Sequence, residues 1–212
     1  MSVVVIAPHP DDESIGCGGA ICRHADAGER VVSVFLTSGE LGLKKLPAEA
    51  ARPLREAEAQ AAAKILGITA THFLRQPDWT LADALDLAAA ALAPILASER
   101  PQLIYLPHSA EWHPDHKVAG PILRRALSIA AIARSEIRGY EVWTPLSSYD
   151  VVVDITSVMS RKLQAIRAHA SQLQEIDYAR AVEGLNAYRG AIAARVSFAE
   201  VFSFHGDLQP EI

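Results

Sequence analysis

Two short stretches hold most of the side chains able to do chemistry: His9-Pro10-Asp11-Asp12-Glu13 and His113-Pro114-Asp115-His116. Imidazole nitrogen and carboxylate oxygen both bind zinc, and a catalytic zinc needs three protein ligands with one position open for water. His9, Asp12 and His116 would supply two histidines and one carboxylate, a set that also suits ferrous iron. Asp11 would stay off the metal and take a proton from the attacking water as general base. His113 would act as a protonated donor to a developing oxyanion or a leaving amine. Asp115 could accept from a histidine N–H and fix its tautomer.

Plainer readings compete. Asp11 or Asp12 could simply cap a helix, where acids suit the helix dipole. A cap explains one acid, not one histidine and three acids within five positions. The pair His113 and His116 could be polar surface at a helix start, and His108 reads as a strand-end residue. His24, His72 and His205 stand alone and read as structural or surface residues.

The elements around the stretches set their place. Val3 to Ile6 is a β-branched run suited to a strand buried on both faces, and Pro8 and Pro10 stop it. A Gly16-Cys17-Gly18-Gly19 run then reads as a helix packed close to the sheet. It does not match G-x-G-x-x-G, so a nucleotide site is disfavoured. Strands follow at Arg30–Thr37, Thr71–Leu74 and Leu103–Leu106. Helices are expected over Pro53–Leu66, with Gly67 closing it, over Leu81–Ser98, and from Asp115 to Ala133, with Pro114 in its first turn. Leu41 to Ala51 reads as a loop able to cover a cleft. Later strands are expected at Glu136–Trp143, Asp150–Ile155 and Phe198–Phe204, and helices at Ser157–Ser171 and Tyr178–Arg195. Strands alternating with helices indicate a three-layer α/β fold with a largely parallel sheet, in one domain spanning residues 1–212. Both stretches follow buried strands, so both should lie at the sheet edge where such folds bind ligands.

The chain is 50 % hydrophobic and 21 % charged with a net charge of −5. That balance, with no basic run, disfavours a nucleic-acid partner. The long apolar stretches are alanine-rich and broken by charge, so none reads as a membrane span. No signal peptide is visible. Cys17 and Cys22, the only cysteines, read as reduced core residues of a cytoplasmic protein.

The pairing of Pro8-His9-Pro10-Asp11-Asp12-Glu13 with the later His113-Pro114-Asp115-His116 resembles the PIG-L/LmbE-type zinc-dependent N-deacetylases. Arg55-Glu56-Ala57-Glu58, Leu66-Gly67, Gln76-Pro77-Asp78, and Lys162 with His169-Ala170-Ser171-Gln172 extend the likeness over most of the chain. The resemblance implies a Rossmann-like fold that removes an N-acyl group from an amino-sugar-type small molecule. It places metal ligands at His9, Asp12 and His116, the base at Asp11 and oxyanion assistance at His113. Some members carry a tyrosine just before the second motif; Glu111 and Trp112 stand there, so that role is not carried over. Arg55, at the start of a helix whose family counterpart lies near the pocket, is expected to bind a substrate hydroxyl or phosphate-like group. Two other readings remain: a two-metal phosphoesterase, and a non-catalytic Rossmann-like binding module. A homo-oligomer is compatible with either.

Overall fold

The computed structural model describes residues 1–205 and 208. Seven strands form one sheet: β1 (Ser2–Ala7), β2 (Arg30–Thr37), β3 (Ala70–Gln76), β4 (Leu103–Pro107), β5 (Glu136–Tyr140), β6 (Val151–Asp154) and β7 (Ala199–Phe204). Their order is β3-β2-β1-β4-β5-β7-β6. The first five run parallel; β7 lies antiparallel to both β5 and β6.

Strand β1 shows why the sheet is central. Val3 and Val5 face one core, Val4 and Ile6 the other, and all four are fully buried. The first core is closed by α1 (Asp12–Asp26), α2 (Ala48–Leu66), α5 (Met159–Ala168) and α7 (Tyr178–Arg189). The second is closed by α3 (Leu85–Glu99) and α4 (Pro114–Ile129). The connections wind from β1 towards β3 on one side and from β4 towards β5 on the other. The order therefore reverses between β1 and β4, the crevice where open α/β sheets hold ligands.

Gly16 lets α1 press onto this crevice. A Cβ there would run into the Tyr140 ring, whose hydroxyl donates to the Ile6 carbonyl at 2.9 Å. Glycine packing, not phosphate binding, accounts for this run.

Several boundaries differ from the sequence reading; β5 ends at Tyr140, not at Trp143, and α3 begins at Leu85 after a 3-10 turn over Leu81–Ala84. Helix α2 starts at Ala48, not at Pro53: Pro47 precedes a strongly helix-forming Ala-Glu-Ala-Ala stretch, and Pro53 is carried inside the helix. The expected Ser157–Ser171 helix breaks at His169 (φ −81°, ψ 56°), leaving α6 (Ala170–Leu173) as a separate turn. Helix α4 ends at Ile129, and α7 at Arg189, before a π turn over Gly190–Ala194. By length and composition alone, Leu81–Glu99 could cross a membrane. Its Ala88, Ala89, Leu92, Ala93 and Leu96 are buried in the second core; alanine on the remaining faces raises its hydropathy.

Candidate metal and amide-hydrolysis site

The first turn is short and strained. After β1, the Asp12 amide donates to the His9 carbonyl at 3.3 Å. Asp11 occupies the position before α1 with φ 120° and makes no side-chain capping bond. That backbone is disfavoured for a residue with a Cβ, and such strain persists only where surroundings impose it. Here they do. The Glu13 carboxylate accepts the Asp11 amide at 3.1 Å, and Glu13 is held by Ser14 at 2.7 Å. The capping explanation therefore fails for Asp11, whose carboxylate is directed elsewhere.

The second turn obeys local rules. His113 caps α4 in extended backbone, its Nδ1 accepting the Asp115 amide at 3.3 Å, and Pro114 occupies the first helical turn.

Long-range packing brings the turns together. His9 Nδ1 and His116 Nε2 each lie 3.2 Å from Asp12 Oδ2 and 3.3 Å from each other. Three donors at about 2.0–2.1 Å from one tetrahedral ion stand roughly 3.3 Å apart. The outward nitrogens explain why lone pairs converge here. His9 Nε2 lies 3.2 Å from both Asp78 Oδ1 and Asp115 Oδ2, which places its proton on that side. His116 Nδ1 faces the fully buried Glu111 carboxylate at 3.8 Å. Two imidazole lone pairs and a carboxylate oxygen meeting at one point call for a cation. Burial opposes charge on His9, but Asp115, Asp12 and Asp78 outweigh it and hold its pKa well above the ordinary value. A field that favours a proton there also favours a metal ion. The residues thus fit a divalent metal held by His9, Asp12 and His116. Among the described residues, the other candidate donor groups, His9 with His113 and His116 and His9 with Asp78 and Asp115, both include His9, and the second gathers on its outward Nε2.

Asp11 sits beside this trio. Burial raises its pKa to about 6, while the charge of Arg55 pulls the other way. Arg55 lines the cleft. It reaches the cleft wall but is itself buried, donating to the Gly39 carbonyl at 2.7 Å, the Pro10 carbonyl at 2.6 Å and Asp11 Oδ2 at 3.1 Å. Three of its five N–H groups are engaged by the protein, so it braces the Asp11 turn. Gly39 (φ 60°) makes this approach feasible, because a Cβ there would collide with the guanidinium.

His113 differs in charge from the expectation of a protonated donor. Burial first, then the neighbouring His9 and His116, lower its pKa to about 4. With Nδ1 accepting a backbone N–H, a neutral ring keeps its proton on Nε2, and a neutral N–H is what His113 can offer.

Asp78 and Glu111 went unread in the sequence. Asp78 holds His9 and also accepts the Leu41 amide at 2.8 Å, pinning the loop after β2 over the site. The Gln76-Pro77-Asp78 turn at a strand end was its only signal. Glu111 accepts the amides of Val142, Trp143 and Thr144 at 2.8–3.2 Å; nothing local pointed to that. The cleft, about 390 Å³, is floored by His9, Asp11, Asp12 and His113. All three tryptophans of the chain, Trp79, Trp112 and Trp143, are exposed and line it.

Residues 4–127 match the family model PIG-L, GlcNAc-PI de-N-acetylase. The chain belongs to the PIG-L family. It is 33 % identical over 191 residues to diacetylchitobiose deacetylase of Thermococcus kodakarensis, covering 82 % of this chain and 70 % of that enzyme. Its fold superposes on N,N'-diacetylchitobiose deacetylase from Pyrococcus horikoshii with TM-score 0.83 and 26 % identity, over 98 % of this chain and 84 % of the other. The 4-carboxy-2-hydroxymuconate hydratase from Pseudomonas putida KT2440 shares the fold with TM-score 0.79 at 24 % identity, over 100 % and 97 % of the two chains. The architecture therefore accommodates more than one chemistry, and the argument for this PIG-L member rests on its site.

Proposed function

We propose that this chain is a metal-dependent N-deacylase that hydrolyses the amide of an N-acylated amino sugar, probing small molecules and not nucleic acid. The observation that carries the reading is the triangle of His9 Nδ1, Asp12 Oδ2 and His116 Nε2, with a raised-pKa carboxylate next to it. Zinc, or ferrous iron, in that triangle would acidify a water to a pKa of about 7 and polarise a carbonyl.

The chain's own residues do the rest. Asp11, with a pKa of about 6, is ionised at neutral pH yet basic enough to take the water's proton. Arg55 holds that carboxylate in place, and Glu13 holds the Asp11 backbone amide. His113 Nε2–H donates to the oxygen on which charge develops. Asp78 and Asp115 fix the orientation of His9. The water oxygen bonds to the carbonyl carbon, Asp11 passes the proton it took to the amide nitrogen, the C–N bond breaks, and carboxylic acid and amine leave. Exposed tryptophan rings around a polar floor suit the apolar face of a sugar ring.

A phosphoesterase would use two metals; the Asp78 and Asp115 oxygens that a second one would need are already paired with His9 Nε2 and with the Leu41, Trp79 and Leu81 amides. The test is amine release from N-acetylated amino sugars by metal-loaded protein. Release that is abolished by a chelator and restored by zinc or iron is expected. Phosphate release without amine release would overturn the proposal.

A further inference from the structure

A second cavity, about 290 Å³, adjoins the cleft and shares Trp143, Ile176 and Tyr178 with it. Its remaining walls are largely apolar, with Ile15, Val142, Ala181, Val182 and Leu185 among them. The polar side chains in its wall are already engaged. Glu200 accepts the Gly19 and Ala20 amides and Lys162, each at 2.7 Å. Asn186 accepts from Lys162 at 2.8 Å and donates to the Ala199 carbonyl. Glu141 accepts from Leu146 and Arg189. What this cavity offers a ligand is apolar surface.

Strand order places the cavity relative to the reacting centre. The metal triangle and Asp11 stand at the ends of β1 and β4. On the β2–β3 flank the cleft is polar, with Lys44, Asp78 and Arg55, and with Gln172 against Gly42. On the β5 flank lie Val142, Trp143 and Pro145, which belong to the apolar cavity. A planar trans amide sends its acyl arm and its amine arm in opposite directions. An amino sugar suits the polar flank, so its acyl arm enters the apolar one.

We propose that the cavity is an acyl-chain subsite and that this deacylase prefers N-acyl groups well beyond acetyl. This rests on the amide-hydrolase reading above. Allowing roughly 30 Å³ per small group, as for a water molecule, the cavity holds a chain of about nine or ten carbons. The aromatic pair Trp143 and Tyr178, ring centroids 5.5 Å apart and edge-on, stands where the chain would pass from one chamber to the other.

The experiment measures amine release by metal-loaded protein from glucosamine carrying N-acetyl, N-butyryl, N-hexanoyl and N-octanoyl groups. A parallel series carries N-acetyl and lengthening alkyl groups on the anomeric oxygen. Full burial is worth about fourfold per methylene, so kcat/KM should climb throughout the N-acyl series, whose longest member stays within the capacity of the cavity. Ala181→Trp, at an exposed position in the cavity wall, should remove that gain and leave N-acetyl turnover within about twofold, as surface substitutions usually do. Leu185→Trp should act the same way. A flat or falling N-acyl series with N-acetyl still cleaved overturns the subsite and leaves the deacylase reading standing. A gain in the anomeric series instead overturns the assignment to the acyl arm. If no amide is cleaved, the deacylase reading fails, and tryptophan fluorescence titration decides the cavity separately. N-octanoylglucosamine should then bind at least about 100-fold tighter than N-acetylglucosamine in the unmodified protein, by the same per-methylene factor, and not in Ala181→Trp. Equal affinities would overturn the inference.

Discussion

The turn after β1 and the turn entering α4 face each other across the crevice, yet they are stabilised in different ways. The second is made by neighbouring residues: a histidine cap, a proline in the first helical turn and an acid beside the helix N-terminus. The first is held from afar. Asp11 keeps φ 120° among contacts to Arg55, 44 positions along the chain, and His9 faces Asp115, 106 positions away. Under the proposed function the locally built turn would supply one ligand and a hydrogen-bond donor. The remotely braced turn would supply two ligands and the base, with Asp11 held beside the triangle of His9, Asp12 and His116 and outside it.

The contrast breaks most sharply between the two adjacent acids. Asp12→Ala should lose both bound metal and activity, whereas Asp11→Asn should keep the metal and lose about 10²–10⁴-fold in kcat with KM moving far less. Metal content by mass spectrometry beside steady-state kinetics checks both; the reverse metal contents would exchange the two roles. Across the crevice, His113→Ala should retain the metal and cost about 10²–10³ in kcat, as for loss of one oxyanion donor. It should also cost about 1 kcal/mol of stability from the lost cap, measurable by denaturant unfolding. His113→Asn should recover the cap and not the rate.

The remote brace is sharpened by Arg55→Ala. Removing the cation that opposes the raised pKa of Asp11 should move that pKa further up from about 6, so the acidic limb of the pH–kcat profile shifts to higher pH. A rise in KM with an unchanged limb would return Arg55 to substrate binding. Asp115→Asn should weaken metal affinity by about 10–100-fold, the usual cost of losing a carboxylate behind a ligating histidine, as read by competition with a chelator.

The smallest expected effect concerns stability. Asp11 has its folded pKa raised, so its protonated form favours folding, and that contribution is lost as pH rises from about 4 to about 6. Asp12 has its folded pKa lowered: burial opposes this, but His116 and His9 outweigh it. Its contribution is present above the ordinary carboxylate range and lost as pH falls through it and below. In chelator-treated protein at pH 7, Asp11→Asn should therefore melt a few degrees higher than the unmodified chain, on the order of 2–4 °C per kcal/mol. At pH 4 that advantage should vanish. A lower melting temperature at pH 7 would show that the Arg55 pair outweighs the burial of Asp11.

The sequence by itself determined what can be written in short range: the buried β1 run, the prolines that end it, the alternation of strands and helices, and the two polar stretches at strand ends. Those features depend on side-chain period and turn chemistry within a few residues. Even the expected role of Asp115, accepting a histidine N–H, needed only its residue type and its place beside histidines. Tertiary structure decided the rest. That Arg55 points inward to Asp11 depends on Gly39 clearing its path. That Asp78 and Glu111 stand behind the two histidines depends on β4 packing beside β1 and β3 lying one strand further out, beside β2. The helix break at His169, where the ring meets Glu13 at 3.4 Å, and the neutral state of His113 follow from burial among specific neighbours. Partners brought together across tens of residues leave no mark on local spacing. Burial sets both the charge and the direction of a side chain only once those partners are in place.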